Sequence, residues 1–225
     1  MQQVVTIVAE QQPFASIDIH NNTGKNPHYG CINRLEPQYF QLAALFSRTV
    51  VFFETPKGVQ SMAMAEHCPS ITLECGQPHQ PHGIEHAADY VETVLHLENL
   101  DTHGVAAKDI DIYQTVALVK VPEQYTFSFS DPTADILFRP ELDKMNFSEL
   151  NGETVFATTP NNANLLALDD HEQDVSDDYF VVRNQQIILT KALMPAMLTL
   201  DEKIIRQDCL CYLMKRLKLP SALNR

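Results

Sequence analysis

The 225-residue chain contains no apolar run of about 18 residues, so the sequence offers no candidate for a transmembrane helix. Its opening, Met1-Gln2-Gln3-Val4-Val5, lacks the basic-then-apolar order of a signal peptide. No Cys-x-x-Cys occurs among the five cysteines, Cys31, Cys68, Cys75, Cys209 and Cys211. An odd count without paired spacing argues against a disulfide framework and a zinc knuckle. It fits reduced thiols in a cytoplasmic protein, with Cys209 and Cys211 as small buried hydrophobes. Positive charge is also scarce. Lys and Arg number 16 against 29 Asp and Glu, a net charge of −13. A surface of that sign repels nucleic acid and anionic lipid, so neither is expected as a partner. A local cationic pocket for an anionic small molecule remains compatible with it. Internal repeats and low-complexity tracts are absent.

A hydrophobic content of 44% and a charged content of 20% describe an ordinary globular chain. Its first half alternates short β-branched runs with helical periodicity. Val4-Val5-Thr6-Ile7-Val8, Ser16-Ile17-Asp18-Ile19, Thr49-Val50-Val51-Phe52-Phe53 and Ser70-Ile71-Thr72-Leu73 read as strands. Residues 35–46, 58–67 and 81–97 read as helices. This alternation predicts an α/β architecture, a mixed sheet flanked by helices. After a junction at Asp101-Thr102-His103-Gly104 the pattern becomes mostly β. A hairpin is expected from residues 113–121 and 125–130 around Pro122-Glu123, and residues 201–217 are expected to form a closing helix. The expected division is an α/β domain over residues 1–105 and a smaller β-rich domain with the closing helix over 106–225.

Polar groups follow two of the apolar runs: Ile17-Asp18-Ile19-His20-Asn21-Asn22-Thr23 and Ile71-Thr72-Leu73-Glu74-Cys75-Gly76. In α/β sheets functional groups gather at the carboxyl ends of strands. An imidazole there can ligate zinc, and a nearby carboxylate can take a proton from water. On pattern alone, His20 reads equally well as a structural histidine.

These stretches resemble the succinylglutamate desuccinylase/aspartoacylase family, a branch of the zinc carboxypeptidase fold. Asp18-Ile19-His20-Asn21-Asn22-Thr23 is similar to the family's Asp-Leu-His-Asn-Thr-Thr, and Tyr29-Gly30-Cys31 to the Met-Gly-Cys that follows it. Pro56-Lys57-Gly58-Val59 resembles the loop before the helix that leads to the catalytic strand. Thr72-Leu73-Glu74-Cys75-Gly76-Gln77-Pro78, with Gly83, resembles the segment carrying the catalytic glutamate. The resemblance implies a zinc-dependent hydrolase of the amide bond of N-acyl amino acids, or a carboxypeptidase acting on short peptides. It makes His20 a zinc ligand and Glu74 the general base. Asp18 would orient His20, and Asn21, Asn22 and Tyr29 would line the substrate pocket.

The sequence departs from the family at its start. The residues before His20 include neither histidine nor arginine, and Glu10 is the one acid besides Asp18. The His-x-x-Glu that supplies the family's other metal ligands, and the Asn-Arg pair that grips the substrate carboxylate, therefore have no counterpart. A fragment of a longer protein is the expected explanation, and an inactive binding relative is the rival one. His82-Gly83-Ile84-Glu85-His86 spells the His-x-x-Glu-His of inverted zinc proteases. Pro81 and Gly83 place it at a frayed helix start, with no helical glutamate following as a third ligand, so it reads as a loop entering a helix. The acidic run at residues 169–178 reads as a solvated loop, and Lys215-Arg216-Leu217-Lys218 as a complement to a helix dipole.

Overall fold

The structure, a computed structural model, describes residues 2–100, 105–106 and 108–218. The expected junction at residues 101–104 lies outside them. The chain divides into two compact units. The first comprises Met1–Asn22, Pro27–Gln114 and Arg216–Arg225, and the second Thr23–Asn26 and Thr115–Lys215.

The first unit opens with helix α1 (Gln2–Glu10). Strand β1 (Ser16–His20), strand β2 (Tyr29–Ile32), helix α2 (Pro37–Phe46), strand β3 (Thr49–Phe52), helix α3 (Gln60–Met64), strand β4 (Ser70–Glu74) and helix α4 (Pro81–Leu95) follow. Strand β5 (Asp111–Lys120) contributes its first four residues. The strand order is β1-β4-β2-β3-β5. β1 runs parallel to β4, β2 antiparallel to β4, and β3 parallel to both β2 and β5. This is the mixed sheet flanked by helices that the alternating pattern predicts. β4 is buried throughout, as expected of a strand covered on both faces. α2 packs on β2 and β4, and α4 packs on α2. Phe40, Leu42, Ile71, Leu73 and Tyr90 are almost fully enclosed in the core. The Tyr90 hydroxyl, buried among them, donates to the Leu42 carbonyl at 3.1 Å, which answers its polar atom inside apolar surroundings.

The run expected as a first strand at Val4–Val8 is helical. β1 ends the sheet order and leaves one edge open, and this run satisfies its backbone groups within α1 and not along that edge.

In the second unit the rest of β5 pairs antiparallel with strand β9 (Leu166–Leu168). Between them in sequence lie strands β6 (Phe127–Ser128), β7 (Ile136–Phe138) and β8 (Val155–Thr158). Helix α5 (Ser176–Tyr179), strands β10 (Phe180–Arg183), β11 (Gln186–Leu189) and β12 (Met194–Ala196), helix α6 (Glu202–Gln207) and strand β13 (Cys211–Arg216) complete it. A second sheet has the order β10-β11-β8-β7-β6. Its core includes Phe138, Leu142, Phe156, Leu165 and Phe180.

Two expectations fail here. Residues 125–130 form no hairpin with β5, because β6 pairs in parallel with β7 in the second sheet. The closing helix is only α6, capped by Asp201, whose carboxylate accepts from the Lys203 and Ile204 amides. After Asp208 the chain turns into β13, antiparallel to β12, with Cys211, Leu213 and Met214 buried. Arg216 therefore stands at a strand end and complements no helix dipole. It bonds Asp111 at 2.6 Å and the Tyr113 hydroxyl at 2.7 Å. All five cysteines are free and buried, Cys209 and Cys211 among them as the small-hydrophobe reading expects. Among the described residues no helix is long and apolar enough to cross a membrane.

Candidate active site

The parallel pairing of β1 with β4 aligns Asp18 with Thr72 and His20 with Glu74. Both strands finish on their polar residue at the same end of the sheet. Because side chains alternate along a strand, Asp18 and His20 share one face. His20 Nε2 lies 3.1 Å from Asp18 Oδ2, and His20 Nδ1 lies 3.8 Å from Glu74 Oε1. The imidazole is half exposed, at 51%, while the Glu74 side chain is 9% exposed. The sheet thus holds a buried carboxylate beneath an accessible imidazole.

The backbone beyond the strand ends is tied across the two chains. The Cys75 amide donates to the His20 carbonyl at 2.9 Å, and the Asn22 amide to the Gly76 carbonyl at 3.1 Å. Gly76 has φ +78°, a conformation open to glycine at little cost, and it reverses the chain directly after Glu74. Gly83 serves the same segment by proximity. A Cβ there would lie 2.3 Å from the Cys75 carbonyl oxygen, so only glycine lets α4 start against this turn.

Asn22 is buried, and its Nδ2 donates to Glu74 Oε2 at 3.0 Å. One carboxylate oxygen is therefore held by an amide while the other faces His20. Burial raises the Glu74 pKa above the usual carboxylate range. The Asn22 hydrogen bond and the nearby His20 oppose that shift, and Asp18 adds to it. Burial, reinforced by the charge of Glu74, lifts the thiols of Cys31 and Cys75 as well, Cys75 to about 11, so both stay protonated and unreactive at neutral pH.

The six residues singled out from the sequence do not all sit alike. Asp18, His20, Asn22 and Glu74 form one contiguous group. Asn21 is exposed and reaches the Gly76 carbonyl with Nδ2 at 3.4 Å. Tyr29 stands opposite Glu74 in the antiparallel β2–β4 register and is 3% exposed, inside the core. Asn22 to Glu74 is a contact that the motif alone does not reveal, since strand register places the pair. His28 is a further residue of interest without a sequence signal. Its Nδ1 lies 2.7 Å from Nδ1 of His86.

A zinc ion needs three or four converging donors. His20 offers one imidazole. Among the described residues no group of three or more His, Cys, Asp or Glu side chains could hold a metal ion. The donor set present here does not fit zinc, and no step below is assigned to it.

No protein-family model matches the sequence, and no curated protein matches it significantly. Solved structures do match. The succinylglutamate desuccinylase from Chromobacterium violaceum aligns over 97% of this chain and 61% of its own, at 12% identity and a TM-score of 0.55. The succinylglutamate desuccinylase/aspartoacylase from Rhodobacter sphaeroides aligns over 97% and 62%, at 9% identity and a TM-score of 0.58. Murine aminoacylase 3 aligns over 91% and 63%, at 12% identity and a TM-score of 0.54. The chain thus spans about three-fifths of the length of these structures. At such identities the likeness speaks for architecture, and the chain has the fold of the succinylglutamate desuccinylase/aspartoacylase structures.

Proposed function

We propose that the group at the ends of β1 and β4 serves the hydrolysis of the amide bond of an N-acyl amino acid, with Glu74 as its general base. The single observation behind this reading is Glu74 itself. It is a carboxylate enclosed at a strand end, with one oxygen fixed by Asn22 and the other turned toward a half-exposed imidazole. Burial moves its proton affinity toward neutral pH, the range in which a base is most effective. Glu74 takes a proton from the attacking water as oxygen bonds to the amide carbon. It then returns that proton to the leaving amine as the carbon–nitrogen bond breaks. Asn22 fixes the carboxylate so that the oxygen facing His20 handles the proton. Asp18 orients the His20 ring, and exposed Asn21 stands at the rim to meet substrate.

Of the zinc ligands that the sequence resemblance implies, the described residues supply His20 alone, and no step of the hydrolysis is routed through the metal. The reading includes a cytoplasmic setting, supported by five buried free thiols. Its test is release of free amino acid from a panel of N-succinyl, N-acetyl and N-aspartyl-type amides, run beside short peptides with a free carboxylate and with zinc supplied. Turnover of the acyl amino acids supports the proposal. Turnover of peptides alone assigns the site to carboxypeptidase action, and turnover of neither contradicts hydrolysis by this chain.

A further inference from the structure

We propose that His28, His82 and His86 form a pH-sensitive latch that holds the Gly76 turn closed at neutral pH and releases it on acidification. The latch deepens the reading of the site above, because Gly76 follows Glu74 by two residues and carries the carbonyl that Asn22 grips.

The geometry is specific. His28 Nδ1 and His86 Nδ1 are 2.7 Å apart, a hydrogen bond that requires one N–H donor and one neutral acceptor. The His28 ring lies parallel to His82, centroids 5.2 Å apart, and within 18° of His86, centroids 5.0 Å apart. Phe46, at the end of α2, stacks on His86 at 4.3 Å. The other nitrogen, His28 Nε2, is buried without a hydrogen-bond partner among the described residues. It abuts the turn, since a Cβ on Gly76 would lie 3.0 Å from it. On the α2 side, Ser47 Oγ donates to the His28 carbonyl at 2.8 Å and fixes the backbone of the ring.

An additional proton has no good position in this arrangement. With the shared N–H on His28 Nδ1, protonating His28 places a buried N–H on Nε2, aimed at Gly76 without an acceptor. Protonating His86 instead sets two N–H groups head to head across 2.7 Å. The opposite tautomer already places the acceptor-less N–H on His28 Nε2. Every protonated form of the His28–His86 pair therefore carries an unmade buried hydrogen bond or a direct clash, while the exposed His82 ring only stacks on His28. The groups facing His28 are His82 and His86 from α4, Phe46 from the end of α2, Ser47 just after it, and Gly76 from the turn. Among the described residues the titratable neighbours that act on it are His86 and His82, and neither offers a negative charge to hold the proton. A cation at this end of α4 would also oppose the helix dipole. Burial, then His86 and His82, lower the His28 pKa. The sign follows. A base with a depressed pKa in the closed state favours closure above its open-state value and loses that contribution as pH falls through the closed-state value.

The test is amide hydrogen exchange of Asn22, whose N–H is bonded to Gly76, across pH 7.5 to 5.5 in the full chain. Coupling to one proton predicts a protection factor falling by about tenfold per pH unit below an open-state pKa of about 6.5. His28→Phe removes the titrating ring and is expected to give a flat profile, with His28→Gln as the second non-titrating variant should phenylalanine prevent folding. A flat wild-type profile would overturn the latch, as would an equal fall in a folded variant lacking the imidazole. Exchange reads the turn and not turnover, so a protein that hydrolyses no acyl amino acid still decides the question.

Discussion

Asn22 Nδ2 donates to Glu74 Oε2 at 3.0 Å, joining two buried side chains that lie far apart in sequence but stand beside each other because β1 and β4 run in parallel. The bond supplies a protein donor to this enclosed carboxylate. Asn22→Ala is expected to leave Oε2 unsatisfied at a cost of about 1–3 kcal/mol, read as a lower urea midpoint at unchanged slope. Asn22→Asp should be worse at pH 7 than at pH 4, because two carboxylates cannot both ionise at this distance.

Glu74 itself works against stability. Burial raises its pKa above the ordinary value of 4.5. A carboxyl with a raised native pKa contributes most below its unfolded pKa and loses that contribution as pH rises through the native one. Glu74→Gln is therefore expected to raise Tm at pH 7 and to change it less at pH 4. Thermal unfolding at the two pH values checks this, and an equal change at both would mean that burial of the charge is not the cause.

Gly83→Ala places a methyl 2.3 Å from the Cys75 carbonyl oxygen, a backbone atom that cannot rotate away. Overpacking of this kind costs about 1–3 kcal/mol, and the first turn of α4 must move. Chemical denaturation measures the loss. Histidine ring resonances of His82 and His86 should shift in the same variant, since His82 stands on that turn and His86 one turn further along the same face.

Asp111 accepts from Arg48 at 2.7 Å and from Arg216 at 2.6 Å, and the Arg48 hydrogen bond is the leading cause of its lowered pKa. Its contribution is present above the usual aspartate range and lost as pH falls through the lowered value. Asp111→Asn is expected to cost about 0.5–1 kcal/mol at low salt for a partly exposed network. The difference from wild type should shrink in 1 M salt, roughly, as screening shortens the reach of these charges.

Local pattern made part of this molecule legible. The apolar run at Ser70–Leu73 is β4, Pro81 opens α4, and polar residues after apolar runs are the ends of β1 and β4. Where pairing partners decide, the sequence was ambiguous. Cys211–Met214 is short and apolar and suits helix or strand equally, and only pairing with β12 selects the strand. Val4–Val8 has β-branched residues, yet it lies within α1 and pairs with no strand among the described residues. Motif spacing carries no information about which way a side chain points, so it reveals neither the contact that Asn22 makes nor the burial of Tyr29. Register sends the first to Glu74 and the second into the core. His28 gave no signal, since its partners lie on a helix that the sheet brings beside it.

The most direct test of the account is the rate of amino-acid release from an N-acyl amino acid by the wild-type chain and by Glu74→Gln, at neutral pH with zinc supplied and folding checked by circular dichroism. Loss of a general base is expected to lower turnover by about 10²–10⁴-fold while the variant stays folded and more heat-resistant than wild type. Wild-type turnover that Glu74→Gln leaves unchanged would contradict the assignment of this carboxylate as the base.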